Sequence, residues 1–279
     1  MVVKFRLVFL FLLSVIFFSA CSLERKYAMK FIRQKDSSTA VLVVQPFSLD
    51  MYNNNKYNLD SINIPKGYSL DSLLFQQTHL LKHISDSIFL ENYLNSFINS
   101  LRKNGFQVFL PDELEAFKDV LSPAYIFKFA QVELSEEIDP YVISEEFSGN
   151  NLYKSFDLNL VTLSNWFEFE ARDTAWRKIF FAEDAISDEI SGDVFLDKRN
   201  STPVLYYNID SLSVKEVYQM ATDVGEKYAS YLTDFLMNSY IKKHFPSDLK
   251  PKVFFHYDAE LKMLFSSFKQ EDGFQEIEK

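Results

Sequence analysis

A long stretch of alternating apolar and polar residues, Phe156 to Glu170 (FDLNLVTLSNWFEFE), restricts the fold more than any other feature. Successive side chains of a β-strand point to opposite faces of a sheet, so this alternation predicts a long strand with one buried face. A polar turn at residues 172–174 leads into a second stretch, Trp176 to Ile186, and the pair predicts a β-hairpin. We expect the other predicted strands to form a sheet together with this hairpin.

Helical and strand patterns on both sides of the hairpin complete the order of elements. They predict a strand at 39–47, a helix at 73–101, a strand at 106–110 and a short helix at 112–117. A strand at 123–134, the hairpin at 156–186 and a long helix at 213–244 follow. Polar composition predicts a long loop at 48–69, an acidic loop at 136–146 and irregular structure at 187–210.

A first strand that returns through a helix to a second strand predicts a mixed sheet with helices packed on it. The predicted fold class is therefore α+β (or α/β). We expect a single domain over residues 39–245, with a mixed β-sheet, a long β-hairpin and packed amphipathic helices. Residues 246–279 are expected to form a C-terminal extension that is partly disordered.

Composition disfavours several classes of protein. The 279 residues carry 29 Lys or Arg against 39 Asp or Glu, and this net charge of −10 disfavours nucleic-acid binding, which needs a basic face. The 29 Phe and 15 Tyr argue against general disorder. A single Cys excludes an intrachain disulfide and any cysteine-clustered metal site, and six Gly leave little for a glycine-rich phosphate loop.

The N-terminus is typical of an exported protein. Lys4 and Arg6 precede an apolar run, Leu7 to Phe18, that is too short to span a bilayer, and this pattern predicts a signal peptide over residues 1–20. Together with the small pair Ser19-Ala20 and Cys21, it resembles the bacterial lipobox, although Phe18 stands where Leu is preferred. The resemblance implies a covalent lipid on Cys21. The alternative is an ordinary signal peptide cut near Ala20, with Cys21 incidental.

Residues 21–38 are expected to form the lipidated Cys and a polar tether that holds the domain off the membrane surface. Ser22 follows Cys21, whereas an Asp there favours inner-membrane retention in enterobacterial lipoproteins. The residue at this position therefore favours a lipid anchor in the outer membrane, with the body facing the periplasm or the cell surface.

Over residues 39–245 the order of elements resembles a group of lipid-anchored envelope domains. The shared features are a strand of the type VLVVQPF, a helix ending in Gly before a short strand (Leu101 to Leu110), a strand such as AYIFKFAQVEL, the paired hairpin strands and a final long helix. The group includes the curli-secretion lipoprotein, the penicillin-binding-protein activator lipoproteins and the auxiliary lipoproteins of ABC-type lipid transporters. The resemblance implies a non-enzymatic domain that docks on a larger envelope machine. The composition and lipobox also resemble Bacteroidetes-type lipoproteins.

Two groups of side chains could carry metal or acid–base chemistry. His79, His83 and Asp86 would share one face of a continuous helix and could ligate a metal, but a solvated helix surface is the favoured interpretation. The carboxylates of two acidic segments could serve as acid–base pairs or calcium ligands, although solvated loop surface is again favoured. They are Glu136, Glu137 and Asp139 in the first segment, and Asp184, Asp188, Glu189 and Asp193 in the second.

An aromatic cluster in the predicted hairpin is the candidate partner-binding patch. It consists of Trp166, Phe167, Phe169 and Trp176. Trp166 and Phe167 point to opposite faces of a strand, so at least one belongs to the core. An exposed remainder would make a protein-docking patch or a sugar-stacking platform, and core packing is the favoured alternative.

The sequence contains no G-x-S-x-G, H-E-x-x-H, G-x-G-x-x-G or G-x-x-x-x-G-K motif. Together with the lipobox and the resemblance to lipid-anchored envelope domains, this leads us to expect a non-catalytic, lipid-anchored accessory or assembly protein that binds another envelope protein. The covalent lipid on Cys21 is its only expected cofactor. The second hypothesis is a surface glycan- or solute-binding lipoprotein, which predicts an exposed aromatic cleft. The third is an envelope hydrolase, which requires two carboxylates about 5–10 Å apart in a pocket.

Overall fold

The computed structural model describes residues 23–35, 39–53, 67, 69–121, 123–147, 150–196, 199, 203–268 and 273–277. The predicted signal peptide and Cys21 lie outside the described residues, as does most of the loop expected at 48–69. The fold is α+β, as predicted, with a mixed sheet and helices packed on it.

The helices are α1 (Leu23–Lys35), α2 (Leu70–Gln76), α3 (Asp86–Lys103), α4 (Leu114–Lys118) and α5 (Val214–His244). Short 3-10 helices at Leu81–His83 and Pro111–Glu113 precede α3 and α4. The strands are β1 (Ala40–Val44), β2 (Asp50–Asn53), β3 (Gln107–Phe109), β4 (Ala124–Phe147), β5 (Asn150–Ala171), β6 (Arg177–Ser187), β7 (Glu189–Leu196), β8 (Pro203–Asp210), β9 (Phe254–Asp258), β10 (Met263–Ser267) and β11 (Gln275–Glu276).

The main sheet has the strand order β11-β6-β5-β4-β1-β3, and β2 also pairs with β4. Strand β1 is parallel to β3 and β4, whereas β4, β5 and β6 form an antiparallel meander. Strand β2 pairs with residues 133–136 of β4, beyond the end of β1. The strands β7 and β8 form a separate hairpin, and so do β9 and β10.

Helices α3 and α5 cover one face of the main sheet. Phe97 of α3 stacks on Phe127 with ring centroids 5.2 Å apart, and Tyr228 of α5 meets Phe167 edge-on at 5.6 Å. The two helices pack closely at Gly225, where an added Cβ would lie 2.5 Å from a backbone oxygen of α3. The opposite face is covered at its β1 end by a smaller cluster around Phe117 of α4.

Residues 23–35, expected within a flexible tether, form α1 and pack against α5. Tyr27, Ala28 and Phe31 lie on one side of α1, and the ring of Phe31 is 5.6 Å from that of Tyr240. Because these apolar residues are few and the segment is otherwise polar and charged, its sequence gives no clear pattern of an amphipathic helix. The chain is therefore held against the body from Leu23 onward.

The segments expected to be irregular or acidic loops are also ordered. Residues 136–146 continue β4, and residues 187–210 contain the β7–β8 hairpin. In the expected C-terminal extension, Phe255, Leu264 and Phe274 are buried, and β11 pairs with β6. Strand pairing and burial of a few apolar side chains order these segments despite their polar composition.

Candidate functional site

A two-layered β-structure extends beyond the helices, and we call it the arm. It comprises residues 137–147 of β4, residues 150–159 of β5 and the β7–β8 hairpin. Pairing with β2 ends at Glu136, and pairing with β6 ends at Leu160. At about 3.4 Å per residue, the β4 part of the arm is about 35 Å long.

The inner side of the arm is apolar. Phe156 and Leu158 point to the same side of β5, and both are buried. The ring of Tyr207 on β8 meets Phe156 edge-on with centroids 4.5 Å apart, and Lys154 Nζ lies 4.1 Å from the Tyr207 centroid. The two hairpins therefore pack on each other through their own small core.

The outer sides of the arm expose large apolar residues. Val142 and Tyr153, on the face of the β4–β5 layer opposite Phe156, are 57% and 67% exposed. On the other layer, Tyr206 is 61% exposed and lies 5.6 Å from the exposed Phe195 ring. The strands of the arm are also acidic. Their acidic residues include Glu137, Asp139, Glu146, Asp157, Glu189, Asp193 and Asp210, whereas Lys154 is their one basic residue. The arm therefore presents apolar surface within a negative field.

Two buried carboxylates hold the base of the arm. Asp188 accepts hydrogen bonds from the backbone and side-chain nitrogens of Asn159 at 2.8 Å, and from the Leu212 N–H at 2.7 Å. Glu136 accepts three backbone hydrogen bonds, from His79 at 2.5 Å, Leu80 at 2.9 Å and Leu81 at 3.0 Å. The sequence favours solvated loop surface for both residues, and this prediction is wrong because both are buried. Their partners are distant in sequence.

The chain enters the molecule at the end opposite the arm, which we call the anchor end. Helix α1 runs antiparallel to the last turns of α5: Tyr27 lies beside His244, and Gln34 accepts a hydrogen bond from the Tyr240 hydroxyl at 3.0 Å. Leu23, the first residue of α1, lies at this end.

The direction of α5 places the arm and the anchor end at opposite poles. Helix α5 begins at the arm base, where Leu212 contacts Asp188, and its 31 residues extend about 46 Å. Its second half packs beside the β5–β6 turn, where Trp176 stacks on Phe235 with centroids 6.1 Å apart. Strand β5 runs from the arm toward this same turn.

A cleft of about 1400 Å³ lies beside the second half of α5, near the anchor end. The β5–β6 turn, strand β9 and strand β10 form its other walls. Aromatic side chains line it, namely Trp176, Tyr231, Phe235, Phe254 and Phe265, together with four lysines, Lys178, Lys227, Lys242 and Lys243. The strand β9 is fixed to α5 by Asn238, whose side chain donates to Phe255 O at 2.8 Å and accepts from Phe255 N at 3.0 Å.

The four aromatic residues of the candidate partner-binding patch do not form one surface. Phe167 and Phe169 are fully buried, as the favoured interpretation of core packing predicts, so neither can belong to an exposed partner-binding patch. Trp166 lies half-buried on the opposite face of the sheet, beside Phe181 at 5.0 Å. Trp176 lies at the edge of the core and lines the cleft.

The continuous helix that would align His79, His83 and Asp86 does not form. His79 lies in a turn, His83 ends a 3-10 helix, and Asp86 begins α3. Across the described ranges, no group of three or more His, Cys, Asp or Glu residues could hold a metal ion. The chain turns at residues 79–81, where the Glu136 carboxylate accepts hydrogen bonds from three consecutive backbone N–H groups.

Two further titratable groups, Asp184 and Tyr228, lie close together near the core. Asp184 accepts a hydrogen bond from Lys227 Nζ at 2.6 Å. Burial raises the pKa of the Tyr228 hydroxyl far above its usual value, and the nearby Asp184 carboxylate raises it further. Tyr228 is therefore neutral at any physiological pH.

Comparisons with known proteins give no relative: no family model and no curated protein matches the chain. Within the described part of the chain, no helix is long and apolar enough to cross a membrane.

Proposed function

We propose that this chain is a lipid-anchored accessory protein of the cell envelope, which binds another envelope protein through its arm and performs no chemistry. The observation that carries the proposal is the placement of the arm. Its exposed apolar residues lie at the pole opposite the start of α1 at Leu23, which follows Cys21 by two positions in the sequence. A lipid on Cys21, in the outer membrane, would hold that end at the bilayer and direct the arm away from it.

The chemistry of the arm indicates the kind of partner. Exposed apolar residues such as Val142 and Tyr153 favour a protein surface over water, and aromatic residues often dominate binding energies at interfaces. Because the arm is acidic overall, the complementary surface is apolar and carries Lys or Arg. We therefore expect binding to weaken as the salt concentration rises.

Two observations support a non-catalytic role. Glu136, Asp184 and Asp188, which were candidates for acid–base chemistry, each hold a neighbouring part of the fold. In the cleft, Asp234 is paired with His256 at 2.6 Å, and Glu276 is paired with Lys178. The proposal therefore includes no cofactor apart from the lipid on Cys21, and no nucleic acid.

The experiment is a pull-down of the tagged, full-length protein from its own membranes after cross-linking in cells. Mass spectrometry identifies and quantifies the proteins that accompany it. The test variant combines Val142→Ser and Tyr153→Ser in the arm. The matched control combines Leu261→Ser and Phe254→Ser, which remove apolar side chains of comparable exposure outside the arm.

We expect a stoichiometric envelope protein with the unmodified chain and with the control. Recovery should fall at least about tenfold with the arm variant, because two apolar side chains at the centre of an interface account for that much affinity. Equal recovery with both variants, or a chain that is reproducibly alone after cross-linking, would overturn the proposal.

A further inference from the structure

Two aromatic side chains of the cleft are exposed although they line a concave surface, and three others are partly buried. Phe254 is 42% exposed and Phe265 is 44% exposed, and both belong to the β9–β10 hairpin. Across the cleft, Tyr231 and Phe235 lie one helical turn apart on α5, and Phe235 stacks on Trp176. Concave, largely apolar sites with a few polar groups are typical of ligand-binding sites. These walls suit an apolar body such as an acyl chain.

The end of the cleft formed by the last turn of α5 is positive. Asp234, whose partner His256 is charged only when protonated, lies about two turns earlier on α5. Lys178 is paired with Glu276, and Lys227 is paired with Asp184. Lys242 and Lys243 have no ion-pair partner among the residues that the structure describes, and both are exposed. They lie in the last turn of α5, where the helix dipole contributes about half a negative charge, less than the two positive charges. An anionic group is therefore favoured at this end of the cleft.

The positive end of the cleft is also the end that α1 covers. Lys242 and Lys243 lie between Tyr240 and His244, two α5 residues that contact α1. The outer side of α1 adds Lys26, Lys30 and Arg33, which are exposed and spaced to share one face of the helix. The anchor end of an acidic protein is thus basic, as a surface facing anionic lipid headgroups would be.

From these three observations we infer that the cleft binds an anionic lipid of the membrane that anchors the protein. The acyl chain lies against the aromatic walls, and the headgroup lies beside Lys242 and Lys243. The inference goes beyond docking through the arm, but it rests on the proposed anchor at Cys21 for the source of the lipid.

The two tryptophans of the chain provide the assay, because Trp176 lines the cleft and Trp166 lies on the opposite face of the sheet. The full-length lipidated protein is reconstituted in phosphatidylcholine vesicles that contain phosphatidylglycerol brominated in its acyl chains. Bromine quenches tryptophan fluorescence only at contact distance. The Trp166→Phe variant reports on the cleft, and the Trp176→Phe variant is its matched control.

We expect the brominated phosphatidylglycerol to quench Trp176 and to leave Trp166 unquenched. Replacing Lys242 and Lys243 by Gln should raise the lipid concentration needed for half-quenching about 30-fold, since each Lys adds roughly fivefold to the binding of anionic lipid. Replacing Lys128 and Lys215 by Gln, both outside the cleft, should leave it unchanged. Unquenched Trp176 in protein that floats with the vesicles would overturn the inference. So would equal quenching by brominated phosphatidylcholine.

Failure of the anchor is distinguished from failure of the cleft by flotation. If the protein does not float with the vesicles, the lipid anchor of the proposed function is wrong. The cleft is then tested without a membrane, using the Cys21→Ala chain and brominated dodecanoate, an anionic amphiphile with a single chain. Quenching of Trp176 that needs Lys242 and Lys243 supports an anionic lipid site, and absence of that quenching overturns it.

Discussion

Replacing Glu136 by Gln is expected to destabilise the fold, because this buried carboxylate holds three backbone N–H groups at the base of the arm. One carboxylate oxygen, Oε2, accepts from Leu80 and Leu81, and the other, Oε1, accepts from His79. Glutamine has nearly the same size, so the substitution leaves the packing intact. Its amide oxygen can keep the first two bonds, but its NH₂ group then faces the His79 N–H.

The magnitude follows from the bonds that change. Two charge-assisted hydrogen bonds become neutral ones, which weakens each by about 1 kcal/mol, and one backbone donor loses its partner at a cost of about 1–3 kcal/mol. Removing a buried charge recovers part of its desolvation cost, which offsets some of this loss. We therefore expect the free energy of unfolding to fall by about 2–3 kcal/mol, and Tm to fall by about 5–10 °C for a chain of this size.

Urea unfolding and differential scanning calorimetry measure these quantities. The matched control is Asp139→Asn, which removes an exposed carboxylate from the same strand and should change Tm by less than about 2 °C. If Glu136→Gln and Asp139→Asn have equal Tm values, the three hydrogen bonds do not support the fold as argued.

Three further substitutions test the anchor and the helix packing. Cys21→Ala should move the protein from the membrane fraction to the supernatant on centrifugation, and retention in the membrane would refute the lipid anchor. Gly225→Ala should destabilise by about 2 kcal/mol in urea unfolding, because the new Cβ collides with α3 and this exceeds the gain in helix propensity. Thr233→Val keeps the shape of a buried side chain but removes the acceptor of the Asn104 amide, so a loss of about 1–3 kcal/mol is expected. If either variant has an unchanged unfolding midpoint, the estimate for that variant is wrong.

The elements that could be predicted from sequence are those with local signals. The alternation that begins at Phe156 forms β5, and the capping box of Ser213 and Glu216 begins α5, where Glu216 accepts from the Ser213 N–H at 2.7 Å. Gly105, with φ of 89°, follows the end of α3 as its position predicts. In each case the residues that decide the structure lie within a few positions of one another.

The arm and its two carboxylates could not be predicted because their partners are far away in sequence. Glu136 binds residues that precede it by more than fifty positions, and Asp188 binds Asn159 and Leu212. Acidic residues disfavour strands on average, so residues 137–146 indicated a loop. The pairing of β4 with β5 and the packing of the second hairpin override that preference.

The cleft was missed for a related reason. Trp176 was singled out as an interface candidate together with Phe167 and Phe169, which are neighbours in the hairpin but belong to the core. The other walls come from α5, β9 and β10. The last two lie in residues 246–279, which the sequence predicts to be partly disordered. A binding site formed by three distant segments gives no local pattern, although Lys242 and Lys243 were recognised as residues that complement the helix dipole.

The same two carboxylates explain how an arm could serve as a docking element. A flexible arm would lose conformational entropy on binding, and this loss would reduce its affinity. Glu136 fixes one side of the arm base to the turn before α3, and Asp188 fixes the other side to the start of α5, which extends to the anchor end. The arm is thus rigidly connected to the pole at which α1 packs against the end of α5. With about 46 Å of α5 and about 35 Å of β4 in series, a partner would be met up to about 80 Å from the anchor.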